Sequence, residues 1–164
     1  MNSRENGIIY ISRTLDILRT FAPVAKTSTP KKKIQRKSPT DLLVDAIVHG
    51  MSEIKAKHIV VMDLREITHA MADYFVICHG TSHTQVQSIA QSIERETIEN
   101  LSERPLHTEG EKNGSWILMD YIDVVAHVFD EPSRAFYGLE DLWADAVVTN
   151  IDAEKFKYVK PTTK

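Results

Sequence analysis

The chain has 164 residues, 42% of them hydrophobic and 26% charged, enough for one ordinary hydrophobic core and too few for two. No run approaches the roughly 18 apolar residues that a membrane-spanning helix needs, so no membrane partner is expected. The single cysteine, Cys78, excludes an intrachain disulfide and a cysteine-built zinc site, and its place in the run Tyr74-Phe75-Val76-Ile77-Cys78 reads as inert packing in a reducing compartment. The net charge of −3 conceals an asymmetry: residues 1–38 carry nine Lys/Arg against Glu5 and Asp16, whereas residues 39–164 carry eleven against twenty-one Asp/Glu. An acidic body repels phosphate backbones, which disfavours RNA binding by the domain itself and favours a protein partner; a peripheral contact with RNA is left to the basic arm.

Residues 1–37 read as a basic, disordered N-terminal extension. Within them Ala22 to Lys37 alternates Pro23, Pro30 and the run Lys31-Lys32-Lys33 with no apolar period. Ile8, Ile11, Leu15 and Leu18 recur at helical spacing beside arginines, a pattern shared with organellar transit peptides, but Glu5 and Asp16 argue against one. Order is expected from Ser38-Pro39-Thr40-Asp41, a helix start with Ser38 as cap and Pro39 in the first position, followed by an apolar face of Leu43, Ile47, Met51 and Ile54. Ile59 to Met62 predicts a strand buried on both faces, and Asp73 to His79 a second. Ser82-His83-Thr84-Gln85 matches a capping box and opens a long amphipathic helix ending near Leu101. Ser115 to Asp120 and Asp123 to Phe129 predict a hairpin, and Asp130-Glu131-Pro132 a short helix stopped by Gly138. The expected fold is therefore α/β, a single domain over residues 38–146 with one mixed β-sheet and flanking helices, and residues 147–164 form a C-terminal tail.

With Tyr121 and Ile122 as the hairpin loop, Leu118 faces Val125 and Trp116 faces His127. One face then holds only Ile117, Met119, Val124, Ala126 and Val128, the expected core side. The other mixes Trp116, Leu118, Asp120, Asp123, Val125, His127 and Phe129, the makeup of a protein interface, with Trp116 as anchor. The alternative is that helices cover both faces and Trp116 is a core residue hydrogen-bonded to His127.

Other chemistry is weakly signalled. Gly80-Thr81-Ser82 lies between a strand and a helix, as phosphate-binding turns do, but lacks a P-loop's glycines and lysine. Asp120 and Asp123 are more simply turn formers than metal ligands, and His79 and His83 are separated by Gly80 and the helix start. No nucleophile–base set stands out, so neither a metal, a cofactor nor catalysis is expected.

The segments His58 to Leu64, Ala72 to Ser82, Glu109-Gly110, Trp116-Ile117-Leu118-Met119-Asp120 and Arg134 to Trp143 together resemble the ribosome silencing factor (Iojap-like) family. The resemblance spans roughly residues 40–145. It implies a mixed-sheet fold similar to nucleotidyltransferases but without their catalytic residues. It implies a partner, the large ribosomal subunit, contacted through ribosomal protein fourteen so that subunit joining is blocked and translation falls when nutrients are scarce. It also implies that the Trp before the Leu-Met-Asp strand, here Trp116, lies at that contact. The expected binding set is Trp116, Leu118, Asp120, Val125 and His127, with Arg134, Tyr137, Glu140 and Trp143 shaping or bordering it; Arg134 and Glu140 serve equally well as a local ion pair. A role in large-subunit assembly and a nucleotidyltransferase-like activity are the alternatives. After Gly80-Thr81-Ser82 no carboxylate follows until Glu94, which argues against the enzyme. The expected setting is the cytoplasm on ribosomes, with an organelle as alternative and a homodimer as one state of the free protein. Where the family often has glycine in the hairpin turn, this chain has Ile122, and Ala126 replaces a commonly bulkier residue.

Overall fold

In a computed structural model of the chain, residues 37–161 are described; the reading of the basic extension therefore lies outside the described residues except at Lys37. The elements are α1 (Pro39–Glu53), β1 (Lys57–Asp63), β2 (Tyr74–Gly80), α2 (His83–Leu101), β3 (His107–Glu109), β4 (Trp116–Asp120), β5 (Val124–Asp130), α3 (Glu131–Tyr137), α4 (Leu139–Leu142) and β6 (Val147–Ile151). No helix among the described residues is long and apolar enough to cross a membrane.

Local chemistry explains the helix ends. The Ser38 hydroxyl accepts from the Asp41 amide at 3.1 Å while the Asp41 carboxylate accepts from the Ser38 amide at 3.0 Å, so α1 starts on a reciprocal capping box. At α2 the Ser82 hydroxyl accepts from the Gln85 amide, but the Gln85 side chain reaches one residue further back, to the Thr81 amide at 2.7 Å. Gly138 ends α3 in the left-handed region at φ 54°.

The six strands form one mixed sheet in the order β3-β4-β5-β2-β1-β6. β5 and β2 run parallel and the other neighbours antiparallel. α1 and α2 cover one face, where Ile47, Met51, Val86, Ile89 and Ile93 meet Ile117, Met119, Val124, Ala126 and Val128 in the main core. The hairpin residues assigned to the core side are those found there. A second, smaller cluster of Val60, Met62, Leu64, Phe75, Ile77 and Phe129 lies under the segment after β1 and the α3–α4 region, which contributes Leu139 and Trp143. β1 is thus buried on both faces, as its uninterrupted apolar run predicts.

Three features depart from the sequence reading. β3 is too short to show a period. Residues 147–164 begin not with a tail but with β6, which pairs with β1 from Ile59 opposite Ile151 to Asp63 opposite Val147. As an edge strand with Val147 to Asn150 all exposed, β6 lacks the buried alternation by which a strand is recognised. The hairpin register is also displaced: Trp116 is opposite Phe129, Leu118 opposite His127 and Asp120 opposite Val125. The cause is Tyr121. Its ring is 7% exposed and its hydroxyl lies 3.1 Å from Thr97 Oγ1 on α2, so it continues the strand on the core side. Its amide donates to the Val124 carbonyl at 2.9 Å, leaving Ile122 and Asp123 as the loop. Each strand's alternation is unchanged, so both faces keep their composition.

Ile122 takes φ 74°, which a β-branched residue adopts only with strain, and its side chain is 64% exposed. Ile122→Gly is expected to stabilise the domain by about 1 kcal/mol, read as a higher urea midpoint at unchanged m-value. A lower midpoint would show that the Ile122 side chain packs in a way its exposure does not suggest.

Candidate functional site

The mixed face of β4 and β5 forms the floor of an aromatic platform. Alternation puts Trp116, Leu118 and Asp120 of β4 beside Val125, His127 and Phe129 of β5, and the parallel pairing of β2 with β5 brings Phe75 opposite Val125. α3, the Gly138 turn and α4 then fold back so that Tyr137 and Trp143 reach the same area. Trp116 stacks on Phe129 at 4.9 Å between ring centroids and meets Tyr137 at 4.8 Å. Phe75 contacts His127 edge-on at 4.8 Å and Trp143 at 5.5 Å. The platform is graded from dry to wet: Phe129 and His127 are buried, Trp116, Leu118, Val125 and Trp143 are partly buried, and Tyr137 is 50% exposed.

The indole Nε1–H of Trp116 donates to His127 Nδ1 at 3.3 Å. This is the bond expected if Trp116 were a core residue, yet Trp116 lies at the rim of its cluster, not within it. Nδ1 acts as acceptor, so a neutral ring carries its proton on Nε2, and that atom is buried without a partner. Burial pushes the His127 ring down to about 4, partly opposed by the Glu140 carboxylate. The unfolded chain therefore takes up a proton near pH 6.5 that the folded chain resists until about pH 4, and stability is lost as pH falls through that window. The loss is expected to reach about 3 kcal/mol. Urea unfolding at pH 7 and pH 4.5 tests it: His127→Gln should remove most of the pH-dependent difference, and an unchanged difference would place its origin elsewhere.

Arg134 and Glu140 come together as the local ion pair. The guanidinium donates to Glu140 Oε1 through Nε at 2.8 Å and Nη2 at 2.5 Å, and through Nη1 to the His58 carbonyl at 2.7 Å. Nη1 also lies 3.1 Å from His79 Nδ1. Burial, then the Arg134 charge, hold His79 below the ordinary histidine range. Arg134 thus ties α3 and α4 to the start of β1 and the end of β2, holding the segment that carries Tyr137 and Trp143. Asp120 is a turn former: its Oδ1 accepts from the Ile122 amide at 2.7 Å.

Two platform members escaped the sequence reading. Phe75 sits on a strand adjacent to β5 only through a long parallel crossover, which no local pattern signals. Phe136, 82% exposed and edge-on to Tyr137 at 5.1 Å, extends the apolar surface outward; an aromatic pair on a seven-residue helix was its only cue. Elsewhere, Cys78 is buried and its thiol is pushed up to about 12 by burial, so it packs and does not react. His83 Nε2 lies 3.1 Å from the Asp130 carboxylate, while His79 faces Arg134, so the two histidines have different partners. Among the described residues, no three His, Cys, Asp or Glu side chains gather as a metal-binding group.

Residues 36–164 match the family model described as "Ribosomal silencing factor during starvation". The chain belongs to that family. Among relatives of this silencing factor, the Bacillus subtilis ribosomal silencing factor is 42% identical over 98 residues, covering 60% of this chain and 81% of the relative. The Halalkalibacterium halodurans factor is 37% identical over 110 residues, covering 67% and 92%. A crystal structure from Bacillus halodurans superposes with TM-score 0.53 at 34% identity, covering 69% of this chain and 95% of that one, and supports the mixed-sheet α/β fold. Chloroplastic and mitochondrial proteins named Iojap and Iojap-related also match the silencing factor. All these relatives are named as silencing factors or Iojap proteins and none for a reaction.

Proposed function

We propose that this silencing factor acts by occupying the large ribosomal subunit at ribosomal protein fourteen, through the platform around Trp116, and so excludes the small subunit and represses translation under nutrient limitation. The observation that carries the reading is the gradation of the platform in a family member: a buried aromatic floor topped by a partly exposed Trp116 and a half-exposed Tyr137. Interface anchors have this form, because a rigid aromatic side chain held by its neighbours loses little entropy when a partner dries its remaining surface. Trp116, Leu118, Val125 and Tyr137 supply contact area, Trp143 borders it, and Arg134 with Glu140 holds the border in place.

Steric exclusion needs no chemical step, only affinity and position. The bacterial relatives point to the cytoplasm as the setting. Cosedimentation tests the partner: the chain is expected to pellet with purified large subunits and not with small ones. Equal pelleting with both, or with neither, would overturn the assignment of the large subunit.

A further inference from the structure

Among the described residues the sheet ends at the outer edge of β6, where no further strand pairs. The backbone groups of such an edge are a template for another strand, and native edges are commonly blocked by a lysine, a proline, a bulge or a covering loop. β6 carries none of these. Val147-Val148-Thr149-Asn150-Ile151 has no charge and no proline, and it pairs with β1 without a break in register. Its β-branched residues suit an extended backbone. Val147 is 65% exposed and Val148 44%, and Thr149 and Asn150 are exposed too. The chain that follows leaves the edge open: it crosses to the helical side, where Phe156 packs against the main core and the Tyr158 ring stacks on His49 of α1 at 4.5 Å.

The charge around the strand selects what fits it. Residues 139–154 hold five carboxylates and no Lys or Arg. Arg134 binds Glu140 and Lys155 binds Asp152, while Asp141, Asp145 and Glu154 are exposed. A second copy laid antiparallel about Thr149 would bring Asp145 of each copy within one residue of Asp152 of the other, so like charges would meet at both ends of a short pairing. A five-residue strand pair also falls short of the roughly 1,200 Å² that stable interfaces bury. We infer that β6 takes up an extended, basic peptide segment of another protein as a seventh strand, with Lys or Arg side chains near the ends of that segment meeting the carboxylates. Main-chain hydrogen bonds supply the affinity of such an added strand, and charge and alternate side chains supply the selection. Val148 lies opposite Met62 and Asn150 opposite Val60, both on the platform side, so the added strand would present every second side chain to that side and the rest to the helical side. Three strands separate β6 from β4, which carries Trp116. At the usual strand spacing that is about 19 Å, so both surfaces can be occupied at once.

The test uses the full chain and a fluorescein-labelled peptide whose core alternates valine and threonine, with two lysines at each end, and follows binding by anisotropy. At low salt this peptide is expected to bind about tenfold more tightly than the same core ended by glutamates. Methylating the core amide nitrogens keeps the charge but removes the strand's donors, and should weaken binding by about tenfold. Val147→Lys with Thr149→Lys, both at exposed positions, should weaken it as much while circular dichroism shows the domain folded, because a charged edge no longer accepts a basic strand. Asp145→Asn with Glu154→Gln should weaken binding at low salt and make little difference at high salt. Trp116→Ala should leave it unchanged. No binding by the parent chain would overturn the inference, as would unchanged binding by the folded double-lysine variant. Equal binding of the methylated and parent peptides would overturn it too, since charge alone would then account for association. A dimer of the parent chain in sedimentation velocity that Val147→Lys with Thr149→Lys breaks apart would give the edge to a second copy instead. Failure to cosediment with large subunits would remove the proposed function and leave this inference standing, because the peptide assay does not involve the platform.

Discussion

Trp116→Ala is expected to weaken binding to isolated large subunits by about a hundredfold, near 3 kcal/mol, the scale of a central aromatic anchor. The size follows from how the indole is held. It stacks on buried Phe129, touches Tyr137 and donates its N–H to His127, so its orientation is set before any partner arrives. Alanine removes the contact area and leaves His127 Nδ1 without its donor, beside an Nε2 that already lacks a partner. Some folding stability will therefore be lost too, and binding must be compared at a temperature where circular dichroism shows both proteins folded. Trp116→Phe separates the contributions: it keeps a ring on Phe129 while losing the hydrogen bond and a part of the contact area, and should retain most of the affinity. Equal binding by the folded alanine variant would move the contact elsewhere on the domain.

The second large effect concerns the packing beneath the platform. Gly50 lies where α1 crosses α2, and a Cβ added there would meet the Ile93 Cα at 2.7 Å and its backbone nitrogen at 2.9 Å. These are main-chain atoms of a helix, so relief requires the helices to separate rather than a side chain to turn. Gly50→Val is expected to destabilise the domain by about 3 kcal/mol, because moving α1 outward opens the core at Ile47, Met51 and Ile93 together. In thermal unfolding this corresponds to a fall of roughly 10 °C for a domain of this size. Helix propensity alone would make the substitution favourable, so a rise in melting temperature would show that the close approach is not real.

The parts of this molecule visible in its sequence are those set by local chemistry. Ser38-Pro39 with Asp41 announces the start of α1, and the strict alternation from Trp116 to Phe129 sorts a core face from a mixed face. Because a side chain's face depends only on parity, that sorting survived a hairpin register that was itself misplaced. The register failed because Tyr121, read from the sequence as a loop residue, is captured by Thr97 on a helix 24 residues away. β6 was hidden for a related reason: an edge strand exposed on both faces carries no period, and its pairing with β1 is a tertiary fact. Phe75 became part of the platform only through the parallel pairing of β2 with β5. The family and the general location of the candidate site were thus legible, whereas the layer covering it, and the placement of the C-terminal segment against α1, depended on contacts between residues far apart in sequence.

Subunit joining tests the central claim most directly. Purified large subunits are mixed with the chain before small subunits are added, and the products are resolved on a sucrose gradient. The account predicts that joined ribosomes fall in proportion to the chain bound, that free subunits accumulate unaltered, and that Trp116→Ala restores joining. Undiminished joining by large subunits that carry a full complement of the bound chain would contradict it.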